Sequence, residues 1–352
     1  MRPIVSPYEA LAAKARAMYG KRLRFEDYER LGHCTTEQEV LDNLRQLPFW
    51  ATSAAPNPPS TAYVGRVELE SILRDKYLQA YQALSYYIPQ ADRELLRFPV
   101  LLAEQDMILR AMRRLKAMSG LPAGEGPGQP EPLLRHSRMD WKVMMSCRNY
   151  GELAAAAEGS IYAPVLQHLR LESGEALPDY MMTEKLLQTA YFTHIYRVIH
   201  RRYSGETKEL LLKAFGQQVD LLNLIHVLRV KTYFPEMQNL FTILFPFHYR
   251  LSPELLTALC AAPDTAAAFS LLSHSPYAES FRDVNVAEVE DYYRRALYIF
   301  SRQQLLTGAP SVYTAISFLN LKEAELGMLV NIIESVKYAV PYDSDFARLI
   351  GA

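Results

Sequence analysis

Cysteine is scarce in this chain: among 352 residues there are three, Cys34, Cys147 and Cys260, and no two form a CxxC pair. An odd and widely spaced set argues against a disulfide framework and against a ribbon-type zinc site, so free, mostly buried thiols are expected. Neither sign of charge is in excess. Lys and Arg number 38 against 39 Asp and Glu, giving a net charge of −1, which supplies no general attraction to nucleic acid or to an anionic membrane surface. Binding must come from local patches or from shape, and no nucleic-acid partner is expected. Long apolar runs are absent too. The most apolar stretch, Leu240 to Phe247, contains Pro246 and falls far short of the roughly 18 residues needed to span a bilayer. The first residues, MRPIVSPYEALAAKARAM, lack the uninterrupted apolar centre of a signal peptide. The expectation is a cytoplasmic protein, peripheral at the inner face of the cell membrane, that touches the membrane only through partner subunits.

The common catalytic patterns are missing as well. No HExxH pair offers two histidines and a carboxylate converging on zinc; His194 and His200 lie six apart on different helix faces, and His226, His248 and His274 have no ligand at suitable spacing. GxSxG and the phosphate loop GxxxxGK[ST] do not occur. The glycines of Gly124-Glu-Gly-Pro-Gly128 are interrupted by proline, which removes an amide that would cradle phosphate. The acidic pair Glu323 and Glu325 reads as solvated or capping. No catalytic residue, cofactor or metal site is expected.

What is present is helical periodicity. Tyr63 to Tyr87, Glu94 to Met118, Asp179 to Tyr203, Lys208 to Tyr233, Val286 to Leu306 and Val312 to Tyr338 read as long amphipathic helices, and hardly any segment alternates like a strand. With 49% hydrophobic residues the chain can bury a sizeable core. Proline-rich Ala51 to Ser60 and glycine- and proline-rich Gly120 to Pro132 read as connections. The fold expected is all-α.

The cysteines are spaced evenly, each 113 residues from the next, and the segments after them share a plan. Thr36, Asn149 and Asp264 can each start a helix by accepting backbone N–H groups, and an aromatic follows 13 positions later at Phe49, Tyr162 and Tyr277. Glu39 and Glu152 stand at capping-box spacing. The pairs Val40 and Leu44, Leu153 and Ala157, and Ala268 and Leu272 each fall on one helical face. Further on, an acid opens an apolar stripe three times: Glu104-Gln-Asp-Met107-Ile108, Asp220-Leu-Leu-Asn223-Leu224 and Glu325-Leu-Gly-Met328-Leu329. Basic residues follow at Arg113, Arg114 and Lys116, at Arg229 and Lys231, and at Lys337. The organisation read from this plan is a first helical repeat over 1–120, shared with the chain's C-terminal end, a connection over 121–132, a second repeat over 133–235 and a third over 236–352. A generic helical bundle would explain the periodicity but not the threefold order. Basic groups at Lys14 to Arg24, Arg110 to Lys116 and Arg197 to Arg202 read as charged helix faces or as contact surfaces for acidic partner proteins. The 23 tyrosines suit inter-helix seams and interfaces.

The segment Val219-Asp-Leu-Leu-Asn-Leu-Ile-His-Val-Leu-Arg-Val-Lys231 resembles the most characteristic stretch of one V-type ATPase family, the C subunits of bacteria and archaea, equivalent to the d subunits of eukaryotes. Lys14-Ala-Arg-Ala-Met18 with Asp27-Tyr-Glu-Arg-Leu31, Leu272-Ser-His-Ser-Pro-Tyr277 and Phe318-Leu-Asn-Leu-Lys-Glu-Ala-Glu-Leu326 are similar to further pieces of that family, in order along nearly the whole chain. Departures are Met107 and Met328 in place of Asn, Glu334 opposite Arg229, and Phe247-His248-Tyr249 where a Gly is usual after Leu-Phe-Pro. The resemblance implies three similar helical subdomains in a pseudo-threefold, funnel-like arrangement. It implies a non-catalytic coupling subunit that links central-stalk subunits to the membrane proteolipid ring and transmits torque, with ATP bound elsewhere. Arg16, Arg113, Asp220, Asn223, Arg229 and Lys231 are the family-motif or partner-contact candidates. Two other readings stay open: a soluble helical interaction scaffold unrelated to rotary ATPases, and an enzyme with a site assembled across helices from His194, His200 or His226.

Overall fold

The computed structural model describes residues 7–50, 66–118, 132–169, 177–237, 239–281 and 289–352. Among them the regular structure is helical and no strand occurs. In chain order the helices are α1 Pro7–Tyr19, α2 Phe25–Gly32, α3 Glu37–Arg45, α4 Arg66–Ser85, α5 Arg93–Leu96, α6 Phe98–Met118, α7 Trp141–Ser146, α8 Tyr150–Ala156, α9 Ala163–His168, α10 Tyr180–Arg202, α11 Gly205–Tyr233, α12 Pro253–Ala261, α13 Thr265–Leu272, α14 Ala278–Phe281, α15 Val289–Thr307, α16 Val312–Tyr338 and α17 Ser344–Gly351. Short 3-10 turns lie at Gln90–Asp92, Pro132–His136 and Leu240–Ile243. The expected connection at Ala51 to Ser60, all of that at 121–132 except Pro132, and the expected helix starts at Tyr63 and Val286 lie outside the described residues.

Capping chemistry explains many of the helix starts. Thr36 accepts the N–H of Glu39, Asn149 that of Glu152 and Asp264 that of Ala267, so each of the three expected caps meets an otherwise unpaired donor of its helix. In the first two the glutamate reaches back one residue beyond the cap, accepting the N–H of Thr35 and of Arg148 at 2.8 and 2.9 Å. The six apolar residues paired on these helices are all buried. The long stretch expected from Glu94 is two helices with a break at Arg97, because Pro99 lacks the N–H to continue a ladder and fits only in a first turn. At the α10–α11 reversal Gly205 takes φ +55°, a conformation that glycine adopts without a steric penalty.

The chain divides into two compact units, one of Met1–Leu96 with Arg294–Ala352 and one of Arg97–Tyr293. In the first, α16 is the central helix: apolar on most of its circumference and largely buried, it packs against α1, α2, α3, α4 and α17. Tyr298 donates to the Ile350 carbonyl at 2.9 Å, so the Tyr19 hydroxyl 3.1 Å away acts as donor to Tyr298. Arg66 joins α4 to α16 through Glu334 at 2.6 Å. In the second unit α6 packs on α7, α8 and α10, α10 on α9 and α11, and α11 on α13. The thiols are free, but of the three only Cys147 is buried. Cys34 and Cys260 lie at helix ends and are half-exposed, which corrects the expectation of mostly buried thiols.

Candidate functional site: buried polar braces of the long helices

Asp220 lies in the middle of α11 in an apolar run and is wholly buried. An isolated carboxylate in such a setting is strongly disfavoured unless hydrogen bonds replace its water. Here Oδ1 accepts the N–H of Tyr249 at 2.9 Å, and Oδ2 accepts those of Arg250 and Leu251 at 2.7 and 3.1 Å. The Tyr277 hydroxyl donates to Oδ2 at 2.6 Å. Burial first, then this bond to a carboxylate, raises the Tyr277 phenol above its usual range, so it holds its proton. Three residues on, Asn223 accepts the Phe245 N–H at 2.8 Å and donates to the carbonyls of Phe245 and Phe247 at 3.3 and 3.2 Å. The segment from Phe245 to Leu251 is irregular and contains Pro246, so its backbone polar groups have no helix to satisfy them. Two side chains one turn apart on α11 do so instead. Gly216 lets this segment come close, since a Cβ there would lie 2.6 Å from Tyr249 Cβ.

Two of the basic candidates, Lys231 and Arg16, act at helix ends. Lys231 donates to the carbonyls of Cys260 and Ala262 at the end of α12. In the other unit Arg16 donates to the carbonyls of Leu305 and Gly308 at 2.8 and 3.0 Å, closing the end of α15. Both supply donors where a helix runs out of its own, and both put positive charge at the negative end of its dipole. Arg113 donates to the Tyr180 hydroxyl at 2.6 Å and lies 3.8 Å from Asp106. Arg229 is on the exposed face of α11. The structure thus brings Asp220 and Asn223 together on one segment, with Lys231 further along the same helix; Arg16 is in the other compact unit.

The other two members of the acidic series are buried as well. Glu104 accepts from the Ser137 hydroxyl at 2.9 Å and from the Arg138 N–H, with Arg97 at 3.5 Å. Burial still dominates and holds its carboxyl above the ordinary value. Beside it the buried Tyr162 donates to the Leu101 carbonyl at 2.7 Å. Glu325 pairs with Lys322 at 2.8 Å, both buried, and the Lys322 ammonium sits 3.7 Å from the centroid of Phe49. This corrects the reading of Glu325 as solvated or capping: α16 is enclosed on nearly all sides and carries the acid inward with its own counter-charge. In each case the acid's helix meets the aromatic that closes a post-cysteine segment: Tyr162 donates one turn before Glu104, Tyr277 bonds Asp220, and Phe49 faces Lys322. Glu334, opposite Arg229 in the sequence comparison, pairs with Arg66 instead.

These contacts position the chain's own backbone. Among the described residues no group of three His, Cys, Asp or Glu could hold a metal ion, and no helix is long and apolar enough to cross a membrane. The partners of Asp220 and the burial of Glu104 and Glu325 escaped sequence reasoning. For Asp220 the available signal was a lone carboxylate inside an apolar run.

Two outcomes are expected. Asp220→Ala leaves three backbone N–H groups, that of Leu251 buried, and the buried Tyr277 hydroxyl without their acceptor, and should cost about 3–5 kcal/mol in chemical unfolding; a loss under about 1 kcal/mol would contradict the brace. For Glu104 the folded pKa is raised, so its contribution is fully present below the unfolded value and is lost as pH rises through the folded one. The unfolding free energy of wild type minus that of Glu104→Gln should fall with rising pH across that window, and parallel curves would rule this out.

The model of the ATP synthase (C/AC39) subunit family matches residues 11–344. The C subunit of the A-type ATP synthase of Methanothermobacter thermautotrophicus is 23% identical, in an alignment that covers 95% of this chain and 86% of that relative. The match extends over nearly the whole chain, both compact units included, and on that ground the chain belongs to the ATP synthase (C/AC39) subunit family.

Proposed function

We propose that this chain is the non-catalytic coupling subunit of a V-type rotary ATPase, standing between the central-stalk subunits and the membrane proteolipid ring and passing torque from one to the other. The observation that carries this reading is the use made of the recurring acids. A part that transmits torque needs internal stiffness, and a buried carboxylate or amide with several partners resists shear because any displacement strands desolvated polar groups. Asp220, Asn223, Glu104 and Glu325 all serve such internal contacts. The reading extends to the shape: three similar helical subdomains around a pseudo-threefold axis, open as a funnel, each pairing the helix of one acidic signature with one closing aromatic. The subunit would then lie peripherally at the inner face of the membrane, held there by its partners.

Fractionation of native membranes tests this. The chain should sediment with a membrane ATPase complex and leave it under conditions that detach the stalk. A chain that never co-fractionates with such a complex would sink the proposal.

A further inference from the structure

At one end of the Arg97–Tyr293 unit several helix ends converge. The turn after α10 sends α11 back alongside it, and α11 is longer by six residues, about 9 Å at 1.5 Å per residue, so its C-terminus projects past the start of α10. Lys185 on α10 donates to the Thr242 carbonyl in the 3-10 turn Leu240–Ile243, and Tyr180 at the start of α10 accepts from Arg113 near the end of α6. Met181, Met182, Tyr233, Phe234, Met237 and Phe241 are all exposed here. Large exposed apolar side chains scattered singly need no explanation, whereas six on segments tied to one another form a surface that water wets poorly. Their type matters: methionine and aromatic residues are the ones enriched at the centres of protein interfaces, and methionine adapts to a helical guest.

Tyr233 stands thirteen positions beyond the buried Asp220 and is 59% exposed. Tyr338, thirteen beyond the buried Glu325 in the other unit, is 57% exposed. An exposed aromatic at the end of the helix thus recurs with the same offset from a buried acid.

The charge at the edge of the surface narrows the occupant. The last turns of α6 carry Arg110, Arg113, Arg114 and Lys116 against Asp106, a local positive excess in a chain whose net charge is −1. Glu184 and the exposed Glu236 are interleaved with the apolar residues, and an anionic bilayer would repel them. A protein can match such a mixed pattern by placing its own charges.

We propose that this end of the unit docks an α-helical protein partner whose apolar stripe is flanked by Asp and Glu facing the α6 arginines. The proposal rests on the coupling-subunit reading and assigns that subunit one specific contact surface. The test uses full-length chain in native membranes carrying the rotary complex. A benzoyl-phenylalanine photocrosslinker replaces Tyr233 in one variant and Phe241 in another, and the double substitution Phe234→Asp with Phe241→Asp is assayed for rebinding to membranes depleted of this chain. Expected are crosslinks from both positions to a helical, acid-flanked segment of a protein subunit, and rebinding weakened by about tenfold or more with helicity and thermal midpoint unchanged. Crosslinks to lipid alone, or absence of protein crosslinks from a chain that still assembles, would overturn the surface while leaving the coupling role intact. Unchanged rebinding of the double variant would do the same. Failure of the unsubstituted chain to associate with the complex would overturn both.

Discussion

The buried carboxylate of Asp220 constrains much of what surrounds it. α11 must be apolar to pack against α10 and α13, yet it carries a charge at its centre that cannot reach water. The arrangement is stable only if several donors converge on that point. Three come from consecutive residues of the segment after Pro246 and one from Tyr277, so a single group fixes both the irregular passage into α12 and the exit from α13. Asn223, one turn on, holds the other end of the same passage. Gly216 supplies the room on the helix surface. Where the family resemblance leads one to expect a Gly after Leu-Phe-Pro, this chain has bulkier residues, and Tyr249 is accommodated over the missing Cβ of Gly216.

The same problem is solved twice more by different chemistry. Glu104 takes a hydroxyl, a backbone N–H and a more distant guanidinium, and burial still keeps its carboxyl high. Glu325 brings a lysine from one turn earlier on its own helix, and Phe49 covers the ammonium with a ring face. Met107 and Met328, which stand where Asn223 stands, are buried apolar residues; they fill space and cannot hold a loop through hydrogen bonds. What recurs is an acid buried inside a helix, with that helix meeting the aromatic that closes a short segment. The identity of the partners varies.

This explains which features could be read from the residues. Caps such as Thr36, Asn149 and Asp264 work within one turn, so their partners lie at fixed offsets and the sequence displays them. Both ends of α10 and α16 and the C-terminal end of α11 lie within a residue of expectation, whereas α11 starts at Gly205, three residues before the expected Lys208, and the break at Arg97, which Pro99 signals, divides the stretch expected to run unbroken from Glu94. The partners of Asp220 lie 29 to 57 residues away, and three of the four are backbone N–H groups, which nearly every residue possesses. No pattern of letters marks such a bond. Arg16 and Lys231 were similarly opaque: a basic residue that closes a distant helix end looks in sequence like any surface charge. The burial of Glu325 was hidden because Glu323, two residues earlier, made the pair look solvent-facing.

If the polar braces make this body stiff, the segment they hold should behave as core rather than as loop. Native-state hydrogen exchange at the amides of Tyr249, Arg250 and Leu251 measures this directly. Exchange there should be as slow as that of the buried amides in the middle of α11, through openings that approach global unfolding. Exchange at the rate of an open loop, while α11 stays protected, would contradict it.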